Sequence, residues 1–303
     1  MSAEPAAVDT TEALDPPVSA GRRFLSELLR SAKGLTGFTV VLGIVLVAAF
    51  APLFASHDPA QQVLEARFLP PAFEEDGRAD YLLGGDNLGR DIFARALYGS
   101  RTSILVALLV VFNAMILGSL LGAISGYFGG VVDAVIMRIA DFQLSFPFIL
   151  VAILLLAILG PGFWTMVFAL SVALWVRFAR LVRGETLKIC ELEYIQAAKS
   201  IGVRHPAIIF GHVIPNVVPT IIVLATFDLA EVIILEAAIS FLGLGTQPPT
   251  PSWGAMISEG RNYLFENYWI ALGPGLAIMV TSIAINLFGD FLRDTYDPRQ
   301  ERL

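Results

Sequence analysis

Six long apolar runs decide what this chain can fold into. They cover residues 38–55, 102–124, 136–159, 163–181, 217–242 and 269–288. A helix needs about 20 residues to cross the hydrocarbon core of a bilayer, roughly 30 Å. Each run has that length once its flanks are included. In lipid the backbone N–H and C=O groups have no water to bond. A spanning segment therefore closes its hydrogen bonds within itself, as a helix. Composition agrees, because 56% of the residues are hydrophobic against about 45–50% in a soluble domain. The expected fold class is an all-α polytopic membrane protein with six transmembrane helices. The run 38–55 has a rival reading as the core of a cleaved signal peptide. It starts later and is longer than such a core, so a span is expected.

Six spans put both termini on one side of the membrane. Of the 20 Lys and Arg residues, 14 fall on that side and 6 on the other. Basic loops stay in the cytoplasm, so both termini and the connection 193–215 are expected there. Residues 1–35 read as a cytoplasmic tail, partly disordered, whose Arg22, Arg23, Arg30 and Lys33 suit an interfacial helix. Residues 36–100 hold the first span and an extracytoplasmic segment, residues 101–292 a five-helix core, and residues 293–303 a charged cytoplasmic tail. The net charge of −7 gives no support for nucleic-acid binding, and the single cysteine, Cys190, excludes an internal disulfide framework.

The connection 193–215 carries charge between two apolar runs. Residues 193–201 read as a short amphipathic helix, with Tyr194, Ile195, Ala198 and Ile201 at helical spacing. Gly202 stands where a helix ends in a left-handed residue. Pro206 suits the first turn of a second short helix. Ala197 and Ala198 are small enough to let another backbone approach. The spacing of Glu193, Ala197, Ala198, Gly202 and Pro215 resembles the EAA loop of ABC-importer permeases, E-x-x-x-A-A-x-x-x-G followed by I-x-L-P. His212 and Ile214 depart from that pattern. The resemblance implies that this loop docks on a cytoplasmic ATPase subunit.

Further stretches extend the resemblance to permeases of the dipeptide, oligopeptide and nickel type. Residues 83–91 (LGGDNLGRD) are similar to their LGTDxxGRD signature, with Gly85 in place of Thr. Gly89, Arg90 and Asp91 are the matching core. They are read either as a turn whose Arg and Asp pair locally or as a group with a family-specific role. Residues 126–133 (GYFGGVVD), 240–245 (SFLGLG), 248–254 (PPTPSWG) and 286–290 (NLFGD) also match. The first span and long outer segment resemble the C-type member of a pair of unlike permeases. The resemblance implies a bacterial inner-membrane location, a second homologous permease, one or two ATPase subunits that bind ATP and Mg, and an extracytoplasmic solute-binding protein.

No phosphate loop of the G-x-x-x-x-G-K-[ST] type occurs, and neither H-E-x-x-H nor G-x-S-x-G is present. The chain is therefore expected to be non-catalytic, with no cofactor or metal of its own. His57, His205 and His212 fall on opposite sides and read as exposed or capping residues. The run 217–242 holds Asp228, Glu231 and Glu236 and no basic residue. A charge at the bilayer centre costs about 2.5–3.5 kcal/mol on insertion scales, so these acids should avoid lipid. Asp228 and Glu231 share a helix face. They either line the solute path and meet a cationic group such as a peptide amine, or pair with a partner permease, or lie near the outer interface. The rival function is a self-sufficient, proton-coupled secondary transporter using Asp228 and Glu231. Arg138 and Asp141 are expected to pair near the inner surface.

Overall fold

A computed structural model describes residues 20–296. The expected disordered tail ahead of residue 20 and the C-terminal residues Arg299 and Arg302 lie outside the described residues. Among these, every extended regular element is helical, and the β contact recorded is an isolated bridge between Gly85 and Asp91. The helices run α1 (Ala20–Arg30), α2 (Ala32–Ala49), α3 (Ala51–Phe54), α4 (Ile92–Phe128), α5 (Gly130–Leu144) and α6 (Phe148–Leu159). They continue as α7 (Phe163–Cys190), α8 (Glu193–Ser200), α9 (His205–Ile208), α10 (Ile214–Phe241), α11 (Trp253–Gly260) and α12 (Trp269–Tyr296). Helix α10 joins α9 through a π-helical turn at Ile209–Val213, giving one run from His205 to Phe241.

Five of the described helices are long and apolar enough to cross a membrane, and a sixth span exists if α5 and α6 are taken together. Pro147 marks a kink in that third span, and the bend is sharp. Its halves bend by 86° at residues 145–147. Pro147 sits at φ −55°, ψ 126°, an extended conformation outside the helix. Proline lacks the N–H a helix needs and pushes the residue before it away from helical geometry. Gln143 fixes the corner to α7. Its Nε2 donates to the Val172 and Ala173 carbonyls, both at 2.9 Å, and its Oε1 accepts from Trp175 Nε1 at 2.8 Å.

Helix α4 starts ten residues before its apolar run. The Asp91 side chain caps it, accepting from Phe93 N at 2.9 Å. At 37 residues it is about 55 Å long, so it projects well beyond a bilayer core. It also passes through Tyr127 and Phe128, beyond the end of its apolar run. Helix α7 likewise continues to Cys190 and buries that cysteine.

Helices α4 and α7 form the centre of the core. Gly118, Gly122 and Gly126 line one stripe of α4 at every fourth position. A Cβ on Gly118 would lie 2.3 Å from the Trp175 carbonyl oxygen, and one on Gly122 would lie 2.4 Å from that of Ala179. Small residues at this spacing let two backbones touch, which in lipid replaces the missing hydrophobic drive with van der Waals contact. Around this seam Val106, Val110, Leu156, Leu170, Phe178 and Ile233 are fully or almost fully buried. Helix α2 packs on α12 by the same device, since a Cβ on Gly37 would meet Phe288 N at 2.6 Å. Of the four basic residues expected on one N-terminal helix, Arg22, Arg23 and Arg30 fall on α1 and Lys33 on α2, and Leu28 of α1 is buried against Phe291 and Leu292.

Overpacking at the seam should be costly. Gly122→Ala forces α4 away from α7 and should lower stability in detergent by about 1–3 kcal/mol. Gly43→Ala on α2 is the control, because a Cβ there meets nothing within 4 Å. A helix gains roughly 0.5–1 kcal/mol from such a change. Thermal unfolding of the two variants should therefore shift in opposite directions.

Candidate functional site

The segment between α3 and α4 folds around Gly89, Arg90 and Asp91. Gly89 has φ +73°, and a Cβ on it would collide with the Val63 carbonyl oxygen. Arg90 and Asp91 do not pair with each other. Arg90 Nε donates to Asp86 Oδ2 at 2.6 Å, and its Nη2 to Glu259 Oε2 at 2.7 Å. Arg95 on α4 completes a closed quartet, reaching Asp86 Oδ2 at 2.9 Å and Glu259 Oε2 at 2.8 Å. Asp91 instead caps α4 and pairs with His57 Nδ1 at 3.0 Å. The quartet ties the outer segment to α4 and α11. Burial pushes the Glu259 carboxyl upward from its usual value, and the Arg90 guanidinium opposes that shift.

Within the membrane, Asp228 and Glu231 share a face of α10, as their spacing requires. The basic partner absent from their own run comes from α7. Arg177 Nη1 lies 2.8 Å from Asp228 Oδ1 and 2.6 Å from Glu231 Oε2. The extension of α7 to Cys190 places Arg177 at mid-helix rather than at an end. Asp228 is fully buried, and although it lies within ion-pair distance of Arg177, neither carboxylate oxygen receives a hydrogen bond. The side chains of Arg177 and Glu231 stay 44% and 38% exposed, so the group opens to one side of the chain. Glu236 stands apart from them. It is fully buried, with Oε2 accepting from Ser103 at 2.8 Å and Oε1 from Ser240 at 2.7 Å. It pins α10 to α4. Asp141 pairs with Arg180 on α7, not with Arg138.

Between α7 and α10, α8 ends as its sequence dictates. Gly202 has φ +78°, its N–H donates to the Lys199 carbonyl and that of Val203 to the Ala198 carbonyl, both at 3.1 Å. This is the Schellman cap, which satisfies carbonyls that a helix end otherwise leaves open. Ile195 is the residue of α8 buried against the core. Glu193, Ala197, Gly202 and Pro215 are exposed, and Ala198 is partly so. Tyr194 and Ile201, on the apolar face, are 47% and 80% exposed. Pro215 stands in the first turn of α10.

A residue not anticipated as functional seats this element. Tyr127, in the last turn of α4, lies under the Lys199 ammonium at 4.8 Å and hydrogen-bonds His205 Nδ1 at 2.8 Å. The two inner histidines thus have separate partners, since His212 packs edge-on against Tyr194. Aromatic residues flanked by glycine, as in 126–130, were the available signal.

Residues 118–302 match the family described as binding-protein-dependent transport system inner membrane component. The chain belongs to this family. Residues 19–71 match the N-terminal transmembrane domain of oligopeptide transport permease C. Among curated relatives, a probable D,D-dipeptide transport system permease, DdpC of Escherichia coli K12, is 39% identical, with 92% of each chain covered. A dipeptide transport system permease, DppC of Alkalihalophilus pseudofirmus, is 39% identical over 94% of this chain and 91% of that one. A glutathione transport system permease, GsiD of Pectobacterium atrosepticum, is 40% identical over 92% and 89%. The fold is similar to a chain of the inward-facing MetNI methionine ABC transporter, with a TM-score of 0.53, 17% identity, and 67% of this chain and 97% of that chain covered. This inner-membrane component is a multi-pass permease subunit of an ABC importer, and the self-sufficient secondary transporter is set aside. Membership of the family implies a binding protein and an ATPase as partners.

The outer quartet should be structural. Removing one member of a buried ion pair leaves its partners uncompensated, which costs about 3–5 kcal/mol. Arg95→Ala should therefore loosen the segment 56–91. Limited proteolysis from the outer face should cut it faster there, while α8 remains as resistant as in the wild type.

Proposed function

We propose that this chain forms half of a peptide translocation path, beside a second homologous permease. One or two cytoplasmic ATPase subunits bind ATP and Mg and seat on residues 193–215. An extracytoplasmic binding protein delivers the solute to the outer face, where Gly89, Arg90 and Asp91 hold the docking segment in shape. The peptide assignment rests on the names of the relatives at 39–40% identity.

One observation carries the coupling role. The exposed α8 is followed, after its Gly202 cap, by a helical run from His205 to Phe241 that also bears Asp228 and Glu231. A push on α8 reaches the charged group through one rod. Tyr127 passes the same push to α4. Glu193, Ala197, Ala198, Gly202 and Pro215 form the surface presented to the ATPase, with Tyr194 and Ile201 as its apolar part. Asp228 and Glu231 line the solute path, whereas Glu236 anchors α10.

Gly202→Asp tests the coupling role. A Cβ at Gly202 meets nothing within 4 Å in this chain, so the cost within the fold is backbone strain of about 1 kcal/mol. At the centre of an interface a disturbance can exceed 2 kcal/mol, more than tenfold in affinity. Assembly with the second permease should survive. ATPase association should weaken at least tenfold, and solute-stimulated hydrolysis should disappear. Phe265→Asp, on the exposed outer connection, should leave ATPase association unchanged. Wild-type transport by the Gly202→Asp complex would remove the coupling role.

Orientation has its own test. Ile201→Cys in a Cys190→Ala background offers an exposed thiol, which the buried Cys190 does not. A membrane-impermeant maleimide should label it in inside-out vesicles stripped of ATPase and not in spheroplasts. Labelling from outside would invert the proposed topology, in which both termini are cytoplasmic.

A further inference from the structure

Arg177, Asp228 and Glu231 are short of one positive charge. A single guanidinium faces two carboxylates, through one nitrogen at 2.8 and 2.6 Å. Asp228 is wholly buried, yet both of its oxygens lack a hydrogen bond. A carboxylate in that state is an acceptor without its donor, and buried polar groups in folded chains are normally satisfied. The group is also open on one side, because Arg177 and Glu231 keep a large share of their surface exposed.

Its depth narrows what fills the gap. Asp228 and Arg177 lie 13 and 14 residues from the outer ends of α10 and α7, about 20 Å along each helix. In the proposed topology, with those helix ends at the outer edge of a hydrocarbon core roughly 30 Å thick, the pair lies beyond its midpoint. Charged side chains at such depth face a watery cavity or another protein group, not lipid. The missing donor arrives from the open side.

We propose that Asp228 and Glu231 form a binding site for a primary ammonium group of the transported solute, with Arg177 holding the two carboxylates in place. This rests on the reading of α10 as lining the solute path. It adds that the path recognises the α-ammonium of a peptide after release from the binding protein. An ammonium carries three donors and no acceptor, which suits the partly exposed Glu231 carboxylate beside the unsatisfied Asp228. Arg177 is a positioning residue. It spaces the acids and keeps their mutual repulsion from spreading α10.

The rival source of the charge is a basic side chain of the second permease, and the test separates the two. The intact complex, without binding protein, is examined in detergent by saturation-transfer NMR. The probes are alanyl-alanine, its desamino analogue propionyl-alanine, and propylammonium chloride. The wild-type complex should contact alanyl-alanine and propylammonium, with at least tenfold weaker binding of propionyl-alanine. Glu231→Gln should lower alanyl-alanine to the level of the desamino analogue, and Glu231→Asp should retain most of the preference. Glu231 is partly exposed, and its loss leaves Asp228 paired with Arg177, so the variant complex should elute intact. Equal binding of the amine and desamino probes by the wild type would overturn the proposal. So would an unchanged preference in Glu231→Gln, or separation of the two permeases in that variant, which would assign the charge to the partner. Uptake of alanyl-alanine into proteoliposomes, with binding protein present, judges the peptide reading independently. Propylammonium contact without peptide uptake leaves the cation site standing and removes peptides as cargo. Peptide uptake without amine discrimination does the reverse.

Discussion

Everything in this fold depends on how closely α4 and α7 approach. Water squeezes apolar helices together in a soluble protein, but lipid is as apolar as the helices themselves. Contact has to come from shape. Gly118, Gly122 and Gly126 supply it by removing the side chains that would hold the backbones apart, and the Trp175 and Ala179 carbonyls fill the space. Because α7 is fixed there, Gln143 can dock on its carbonyls and hold the sharp corner between α5 and α6. The same fixation sets the height of Arg177 relative to α10. Packing at one seam thus decides where the intramembrane charges meet.

Charge is handled differently at three depths. Beyond the apolar runs, Asp86, Arg90, Arg95 and Glu259 balance two against two and close on themselves. That arrangement is a clasp, with each guanidinium group bridging both carboxylates. Further in, Glu236 is satisfied by the hydroxyls of Ser103 and Ser240 and needs no cation. Deeper still, Arg177 with Asp228 and Glu231 is neither balanced nor closed. The contrast matters, because an unpaired charge in a low-dielectric site is costly and persists where something beyond the fold requires it.

Local chemistry was legible in the sequence and distant pairing was not. The Gly202 cap follows from one residue type and its neighbours, and the spacing E-x-x-x-A-A-x-x-x-G located the exposed inner element. The shared face of Asp228 and Glu231 follows from helix periodicity. Arg177 was beyond reach, because its partner Glu231 lies 54 residues further along the chain. Glu259 is 169 residues from Arg90, and a local Arg90–Asp91 pair was the natural alternative. Hydropathy also marks where lipid contact ends, not where a helix does. The first ten residues of α4 are polar enough to escape it, although Asp91 is a good cap. The break at residues 145–147 was visible as Pro147, but no pattern of apolar residues encodes an angle of 86°.

The helical run from His205 to Phe241 touches both ends of the machine. At its N-terminal end His205 meets Tyr127, and at its C-terminal end the Phe241 carbonyl accepts from Ser258 Oγ at 2.8 Å, beside the Trp253–Gly260 helix. A rod loaded at both ends obeys thermodynamic reciprocity. If occupancy of the outer face alters how tightly the inner face is held, then the inner contact alters the outer one by the same factor. Neither end is master.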